Sequence, residues 1–214
     1  IFPTELLNEK INRNHKPYVI ATGIYKREPK LSDKINDGKV HVVYAGTFRK
    51  AKGGAVMAVK IAEFLDERYH VHILGEGGAE TTKLVTDEIE RVNKLSEATV
   101  TYDGVLRGDE FKAFLQKCHI GLSTQTPEGN YNDSSFPSKI LTYMVNGLSV
   151  LSIRIPAVES SPVGKYVYYY DKDDPRAAAE RLINITKNSS VDKESVLDEL
   201  QKKLTCDLSE LLLV

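Results

Sequence analysis

Between residues 132 and 152 the chain reads NDSSFPSKILTYMVNGLSVLS. The spacing predicts a helix that starts near Pro137 and stops at Asn146–Gly147, since proline suits a first turn and glycine suits the position just past the last. Lys139 falls in that first turn, where a cation opposes the helix dipole by about 0.3–1 kcal/mol. Asn132, Ser134, Ser135 and Ser138 add hydrogen-bond donors at the same end. Donors and a cation gathered at a helix start make a receptor for an anion, so this stretch reads either as an anion site or as a serine-rich cap whose lysine reaches solvent. A second candidate is YAGTFRKAKGG, where an apolar run ends at Gly46, a basic loop carries Arg49, Lys50 and Lys52, and Gly53–Gly54 opens the next helix. Cations suit phosphate oxygens and glycines admit close backbone approach, although a solvated basic turn has the same composition. A third is LGEGG, with Gly75 and Gly77 at another strand–helix junction, equally compatible with a plain tight turn.

Other reactive side chains read as structural. His70 and His72 alternate on one strand and share a face, but no third ligand stands near them in sequence, so packing is expected and no metal. His119 beside Cys118 reads as core or rim packing. The cysteines, Cys118 and Cys206, have no metal-like spacing and fit a reducing compartment without disulfides. The triplets at Asn132, Asn184 and Asn188 match a glycosylation acceptor pattern that finds no secretory signal to accompany it.

The elements that position these residues follow from periodicity. Residues 1–38 are mixed, with a short strand pattern in PYVIATGIYKR, and read as a connector or lead-in. From residue 39 short apolar runs ending in glycine or serine alternate with amphipathic stretches: KVHVVYAG, then a helix with Val56, Val59, Ala62, Phe64 and Leu65 inward, then YHVHILGEGG, then a helix with Leu84, Ile89 and Val92 on one face. The alternation continues through VTYDG, GDEFKAFLQKC, HIGLS, a long polar loop, the helix after Pro137, LSVLSI, KYVYYY and DDPRAAAERLINITK, in which Asp174 caps and Pro175 leads. Such a rhythm predicts an α/β, Rossmann-like three-layer domain with a parallel sheet of about six strands. Its division is 1–38 as connector, 39–190 as the Rossmann-like domain and 191–214 as a C-terminal helical segment. Ligands are expected beyond the carboxyl ends of the strands, in the loops after Gly46, Gly75, Asp103, Ser123 and Ser152.

The bulk numbers bound the function. The chain has 214 residues, 41% hydrophobic and 28% charged, with a net charge of −1, which is ordinary for a water-soluble globular protein and gives no basic excess for nucleic acid. No apolar run reaches the roughly 18–20 residues of a membrane span. The opening IFPTELLNEK has no methionine and reads as a piece of something longer.

Taken in order, the motifs resemble the C-terminal, donor-binding domain of a GT-B glycosyltransferase of the retaining group 1 type, family four. The carriers are Gly46 through Lys52–Gly53, the G-x-G of Gly75-Glu76-Gly77, VTYDG, HIGLS and PSKILTYMVNGLSVLS. PYVIATGIYKR is similar to that family's inter-domain connector. The resemblance implies that Lys52 and Arg49, with Gly46 and Thr47 beside them, meet a donor diphosphate. It places Gly75 and Gly77, Ser135, Phe136, Ser138 and Lys139 around the same phosphates, and Val105, Leu106 and Arg107 near the nucleobase. The family's paired glutamates fall on Ser134 and Thr142 here, with Glu128 or Asp133 as candidates for the first carboxylate. Lys52, Lys139 and Glu128 are then the catalytic expectations.

The function implied is transfer of a sugar from a UDP- or GDP-sugar to a glycan or lipid-linked acceptor in polysaccharide synthesis. The resemblance also implies no cofactor or metal, no nucleic acid, a cytoplasmic location (membrane-peripheral as part of a longer protein), and an acceptor-binding N-terminal domain outside this chain, without which the donor half is inactive. The alternative is a non-catalytic paralogue acting as a binding or assembly partner, favoured by Ser134 and Thr142. A nucleotide-sugar epimerase would need catalytic acids and a histidine that find no assignment, and no dinucleotide fingerprint follows the first strand.

Overall fold

The structure is a computed structural model that describes residues 1–49, 53–126, 135–188 and 193–213. Six parallel strands form one sheet: β1 (Val40–Ala45), β2 (Tyr69–Leu74), β3 (Thr99–Gly104), β4 (Ile120–Ser123), β5 (Ser149–Ile153) and β6 (Tyr168–Tyr170), in the order β3-β2-β1-β4-β5-β6. The expected Rossmann-like architecture is therefore observed. The central strands are buried on both faces, β4 and β5 throughout their length, as a parallel sheet covered by helices on both sides requires. The helices are α1 (Glu5–Ile11), α2 (Gly54–Ile61), α3 (Ala79–Asn93), α4 (Gly108–Lys117), α5 (Lys139–Val145), α6 (Pro156–Glu159), α7 (Pro175–Asn188) and α8 (Lys193–Leu212).

The chain reverses its direction of travel across the sheet between β1 and β4, which makes that gap the topological switch point. The two strands pair only at Val42 with Ile120 and Val43 with Gly121. Beyond that register the N–H of Ala45 donates to the Tyr143 hydroxyl at 2.8 Å, so a side chain from α5 takes over where the ladder ends. The Tyr143 ring lies flat against Gly121 of β4, and a Cβ there would meet ring carbons at 2.3 Å. Ring and hydroxyl together clamp α5 onto both strands that border the switch point.

Several sequence expectations are corrected. α5 begins at Lys139, not Pro137. Ser138 is its cap residue in a right-handed helical conformation, and the Pro137 carbonyl accepts from Ile140 N–H. The first helix after β1 ends at Ile61 and tightens into a 3₁₀ turn over Ala62–Phe64, which leaves Phe64 exposed, its ring 4.8 Å from the Arg176 guanidinium. On α3 the inward face is Val85, Ile89 and Val92, while Leu84 is 45% exposed. The helix of α7 starts as read, with the Asp174 carboxylate accepting from the N–H groups of Arg176 and Ala177.

The first 38 residues carry α1, which periodicity did not reveal. The PYVIATGIYKR segment forms no strand there, only a parallel bridge of Ile20 with Phe2. Val19, Ala21 and Tyr25 are buried in the same core cluster as the sheet. Two glutamines tie this segment down. Gln201 of α8 accepts from the Tyr25 N–H at 2.9 Å. Buried Gln116 of α4 accepts from the N–H groups of Leu31 and Ser32 and donates to the Pro29 carbonyl. α8 buries Leu197 and Leu200 in that core, so it folds back onto its own domain. Replacing Gln116 by leucine removes the partner of two backbone amides at once. Urea unfolding is expected to show a loss of about 2–3 kcal/mol, against which an unchanged midpoint would mean the segment is held by apolar contacts alone.

Candidate functional site

A cleft of about 600 Å³ opens at the carboxyl ends of the central strands, on the switch point. Tyr44, Gly46, Thr47 and Arg49 reach it from β1, Gly75 and Glu76 from β2, Val105 and Leu106 from β3, and Gln125 from β4. The fifth wall is the start of α5: Ser135, Phe136, Pro137, Ser138, Lys139 and Thr142. The cleft thus gathers Gly46, Thr47, Arg49, Gly75, Leu106, Ser135, Phe136, Ser138, Lys139 and Thr142 of the sequence-derived set. Gly77 stands outside its lining, bridged to Phe48. Lys52, Glu128, Ser134, Lys50 and Asp133 lie outside the described residues. The loop after Ser152, expected at the site, does not line the cleft.

Lys139 and Tyr143 are one turn apart and share the inner face of α5. Because Tyr143 is pinned to Ala45 and Gly121, Lys139 is aimed at the end of β1. Its ammonium lies 3.9 Å from the centroid of the Tyr44 ring and 2.9 Å from the place a Cβ on Gly46 would occupy. A side chain at position 46 would push the ammonium out of the cleft. Burial raises the Tyr44 hydroxyl to about 12 and pushes Tyr143 well above the usual phenol range, so both rings stay neutral and the positive end of the cleft is uncompensated by phenolate.

The two helices that start at the cleft differ from their neighbours. α1, α3 and α4 carry Glu5, Glu80, and Asp109 with Glu110 in their first turns, matching the dipole. α2 and α5 have no acidic residue there. The start of α2 is fixed by the Thr124 hydroxyl, which donates to the Gly54 carbonyl at 2.6 Å, and its cap residue Gly53 has φ +59°. Two helix starts without acid, one carrying Lys139 and the other preceded by Arg49, give the cleft a positive field.

The loops of β1, β2 and β3 are stitched to one another beneath this field. Gly46 N–H donates to Leu74, Gly75 N–H to Gly104, and Phe48 N–H to Glu76, while the Tyr102 hydroxyl donates to the Gly75 carbonyl. Gly75 has φ +132°, and a Cβ on it would fall 1.9 Å from the Gly46 carbonyl oxygen. Thr142 donates its hydroxyl to the Ser138 carbonyl at 3.2 Å, which leaves its oxygen free only to accept. Glu76, 3.7 Å from the Arg107 guanidinium, puts a carboxylate at the cleft that the G-x-G pattern left unassigned. Tyr44 and Tyr143 were also missed, since in sequence both read as ordinary apolar positions of a strand and a helix.

The model of the family described as glycosyl transferases group 1 matches residues 39–188, from the start of β1 to the end of α7. The chain belongs to that family. No curated protein sequence matches this glycosyltransferase chain. Among solved structures it is similar to an E. coli trehalose-6-phosphate structure bound with UDP-2-fluoro glucose, at 9% identity and a TM-score of 0.60, over 81% of this chain and 44% of that one. It is similar to an α,α-trehalose-phosphate synthase (UDP-forming) from Burkholderia vietnamiensis, at 10% identity and a TM-score of 0.60, over 83% and 46%. The catalytic domain of cholesterol-α-glucosyltransferase from Helicobacter pylori shares 12% identity at a TM-score of 0.52, over 77% and 97%. At these identities the likeness is one of fold, that of GT-B glycosyltransferases. This chain spans less than half the length of the two trehalose-phosphate proteins. No helix among the described residues is long and apolar enough to cross a membrane.

Proposed function

We propose that this chain is the donor-binding half of a glycosyltransferase and that its cleft takes the diphosphate of a UDP- or GDP-sugar. The observation that carries the reading is Lys139, a cation held at the start of a helix over Gly46, inside a cleft at the sheet's switch point. Cation and helix dipole repel each other in the empty protein, and a bound anion turns both into favourable partners. In transfer, the charge that grows on the leaving diphosphate would be met by Lys139, Arg49 and the first amides of α2 and α5, with Lys52 supplying a further cation. This preorganised stabilisation is usually the largest single contribution to catalysis, and no metal is required for it. Ser135, Phe136 and Ser138 would cradle the phosphates. Val105 and Leu106, on the β3 side, would take the base.

The ribose would rest near Thr142, whose hydroxyl oxygen can accept a ribose O–H but carries no charge to strengthen the bond. That uncharged position favours weak nucleotide binding, and it is the one observation behind the second reading, a paralogue that binds without turnover. Glu128 is the candidate for the donor-sugar contact. The acceptor, a glycan or lipid-linked sugar of polysaccharide synthesis on the cytoplasmic side, would be held by a partner domain that closes over the cleft.

Calorimetric titration with UDP and GDP tests this. Saturable binding of either nucleotide, with the matching monophosphate at least about tenfold weaker, is expected, because a second phosphate adds charge-assisted bonds of about 1.5–3 kcal/mol. Absence of binding at millimolar nucleotide, in a sample with an unaltered melting curve, would leave the non-catalytic partner standing.

A further inference from the structure

On the face of the sheet that α4 covers, β1 and β2 bring three histidines together. The parallel register sets His41 beside His70, and His72 follows two residues on. One ligand atom from each of His41, His70 and His72 lies within 4.8 Å of the others. The His70 and His72 rings stack with centroids 4.0 Å apart, and the edge of the Phe114 ring of α4 closes over His72. None of the three lines the cleft.

Hydrogen bonding fixes how two of these rings are protonated. The Asp37 carboxylate lies 3.1 Å from Nε2 of His41, and the Asp103 carboxylate lies 3.1 Å from Nδ1 of His72. A carboxylate only accepts, so each of those outer nitrogens carries its ring's hydrogen. In a neutral imidazole the inner nitrogen is then a bare lone pair. The two inner nitrogens, Nδ1 of His41 and Nε2 of His72, face each other at 2.9 Å. Both residues are almost fully buried, at 3% and 5% exposure, so no bulk water separates them. Two lone pairs at that distance require a cation. A proton would serve two nitrogens, but a third imidazole, His70, stands within reach of the same point.

We propose that His41, His70 and His72 hold a divalent transition-metal ion of the zinc class, oriented by Asp37 and Asp103 through the distal ring nitrogens. Imidazole ligands backed by carboxylates are the usual pattern of such sites. At metal–nitrogen bonds of about 2.0–2.1 Å in tetrahedral geometry, neighbouring ligand nitrogens stand about 3.3 Å apart, so the His41–His72 pair needs to open by only about 0.4 Å, while His70, whose Nε2 lies 3.1 Å from the Thr101 hydroxyl, turns inward to close the 4.8 Å span of the three ligand atoms. The two carboxylates balance the ion's charge. His70 is half-buried, which leaves a path from solvent for the ion and for a water as fourth ligand. The ion would staple β1 to β2 and, through Asp103, to β3, beneath the loops that form the cleft. Its role is structural.

The test uses the whole chain, free of any tag and stripped with a chelator, titrated with Co(II) followed by visible absorption and with Zn(II) followed by calorimetry and melting. One ion per chain is expected, with the intense d–d bands of four-coordinate cobalt and a rise in Tm of about 5–10 °C at zinc roughly 100 times Kd. His70→Gln should abolish binding while melting like the stripped protein. Asp103→Asn, which keeps all three ligands, should weaken affinity about 10–100-fold. Cys206→Ser, at an exposed thiol, should change nothing. Lack of saturable binding, or binding that survives His70→Gln, would overturn the proposal. So would imidazole nitrogen NMR showing one shared proton on His41 and His72 in the presence of zinc.

Discussion

Lys139→Ala is expected to weaken UDP or GDP binding by about 10–150-fold, the loss of one charge-assisted contact of about 1.5–3 kcal/mol, while barely moving the unfolding midpoint. The two halves of this result have different origins. In the free protein the lysine's unfavourable meeting with the α5 dipole, about 0.3–1 kcal/mol, is offset by its contact with the Tyr44 ring, worth about 0.5–2 kcal/mol. Removing the side chain removes both, and these two contributions differ by less than about 2 kcal/mol. In the complex the same ammonium faces a diphosphate, and nothing replaces it. Lys139→Met, which keeps the apolar stem over Tyr44, should lose the same affinity. A variant that lost stability and kept affinity would place the lysine in the scaffold and remove it from the proposed site. Tyr143→Phe offers a cross-check. It leaves the buried Ala45 amide without its acceptor, at about 1–3 kcal/mol, and loosens the anchor that aims Lys139.

Gly75→Ala should be the most damaging single methyl in the chain's cleft, costing about 2–6 kcal/mol in urea unfolding. A non-glycine residue at φ +132° carries about 1–3 kcal/mol of backbone strain. The added Cβ also meets the Gly46 carbonyl oxygen at 1.9 Å, and overpacking against an atom that is itself backbone adds about 1–3 kcal/mol. Relief requires the β1 and β2 loops to part, which breaks the Gly46–Leu74 and Phe48–Glu76 hydrogen bonds. Against a total stability of about 5–15 kcal/mol this can unfold the domain. Gly78→Ala, where a Cβ meets nothing within 4 Å, should lose only about 1 kcal/mol or less from the start of α3. Equal midpoints for the two variants would refute the close approach at Gly75.

The sequence made the sheet legible because parallel strands buried on both faces are short apolar runs, and because the strand–helix rhythm repeats. It made α7 legible because Asp174 and Pro175 act on their immediate neighbours. The cleft residues Gly46, Arg49, Gly75 and Lys139 were legible for the same reason, lying at strand ends and helix starts that local patterns mark. What stayed hidden depends on distant partners. Tyr143 finds its amide 98 positions away, and nothing near it in the chain announces this. His41 meets His72 only once the register of β1 on β2 is set, so the pair at 70 and 72 gave no sign of its third member. Leu84 and Val85 are adjacent, and a helical period does not say which of two flanking apolar residues turns inward. α1 and the two glutamine ties were missed because polar side chains that cap loose backbone look, in sequence, like any exposed polar residue.

The order of the strands also governs when the cleft can come into being. β1 is the first of the six strands to be made and lies at the middle of the sheet, with β2 following it closely on one side. Its other neighbour, β4, emerges from the ribosome only at residue 120, and the tyrosine that closes the gap between them only at residue 143. Until then the exposed edge of β1 is an unpaired template of the kind that recruits wrong strands. A nascent chain halted between β3 and α5 should therefore hold its first three strands, lack any anion-binding capacity, and be the species most prone to aggregate, with the binding surface maturing only once α5 arrives.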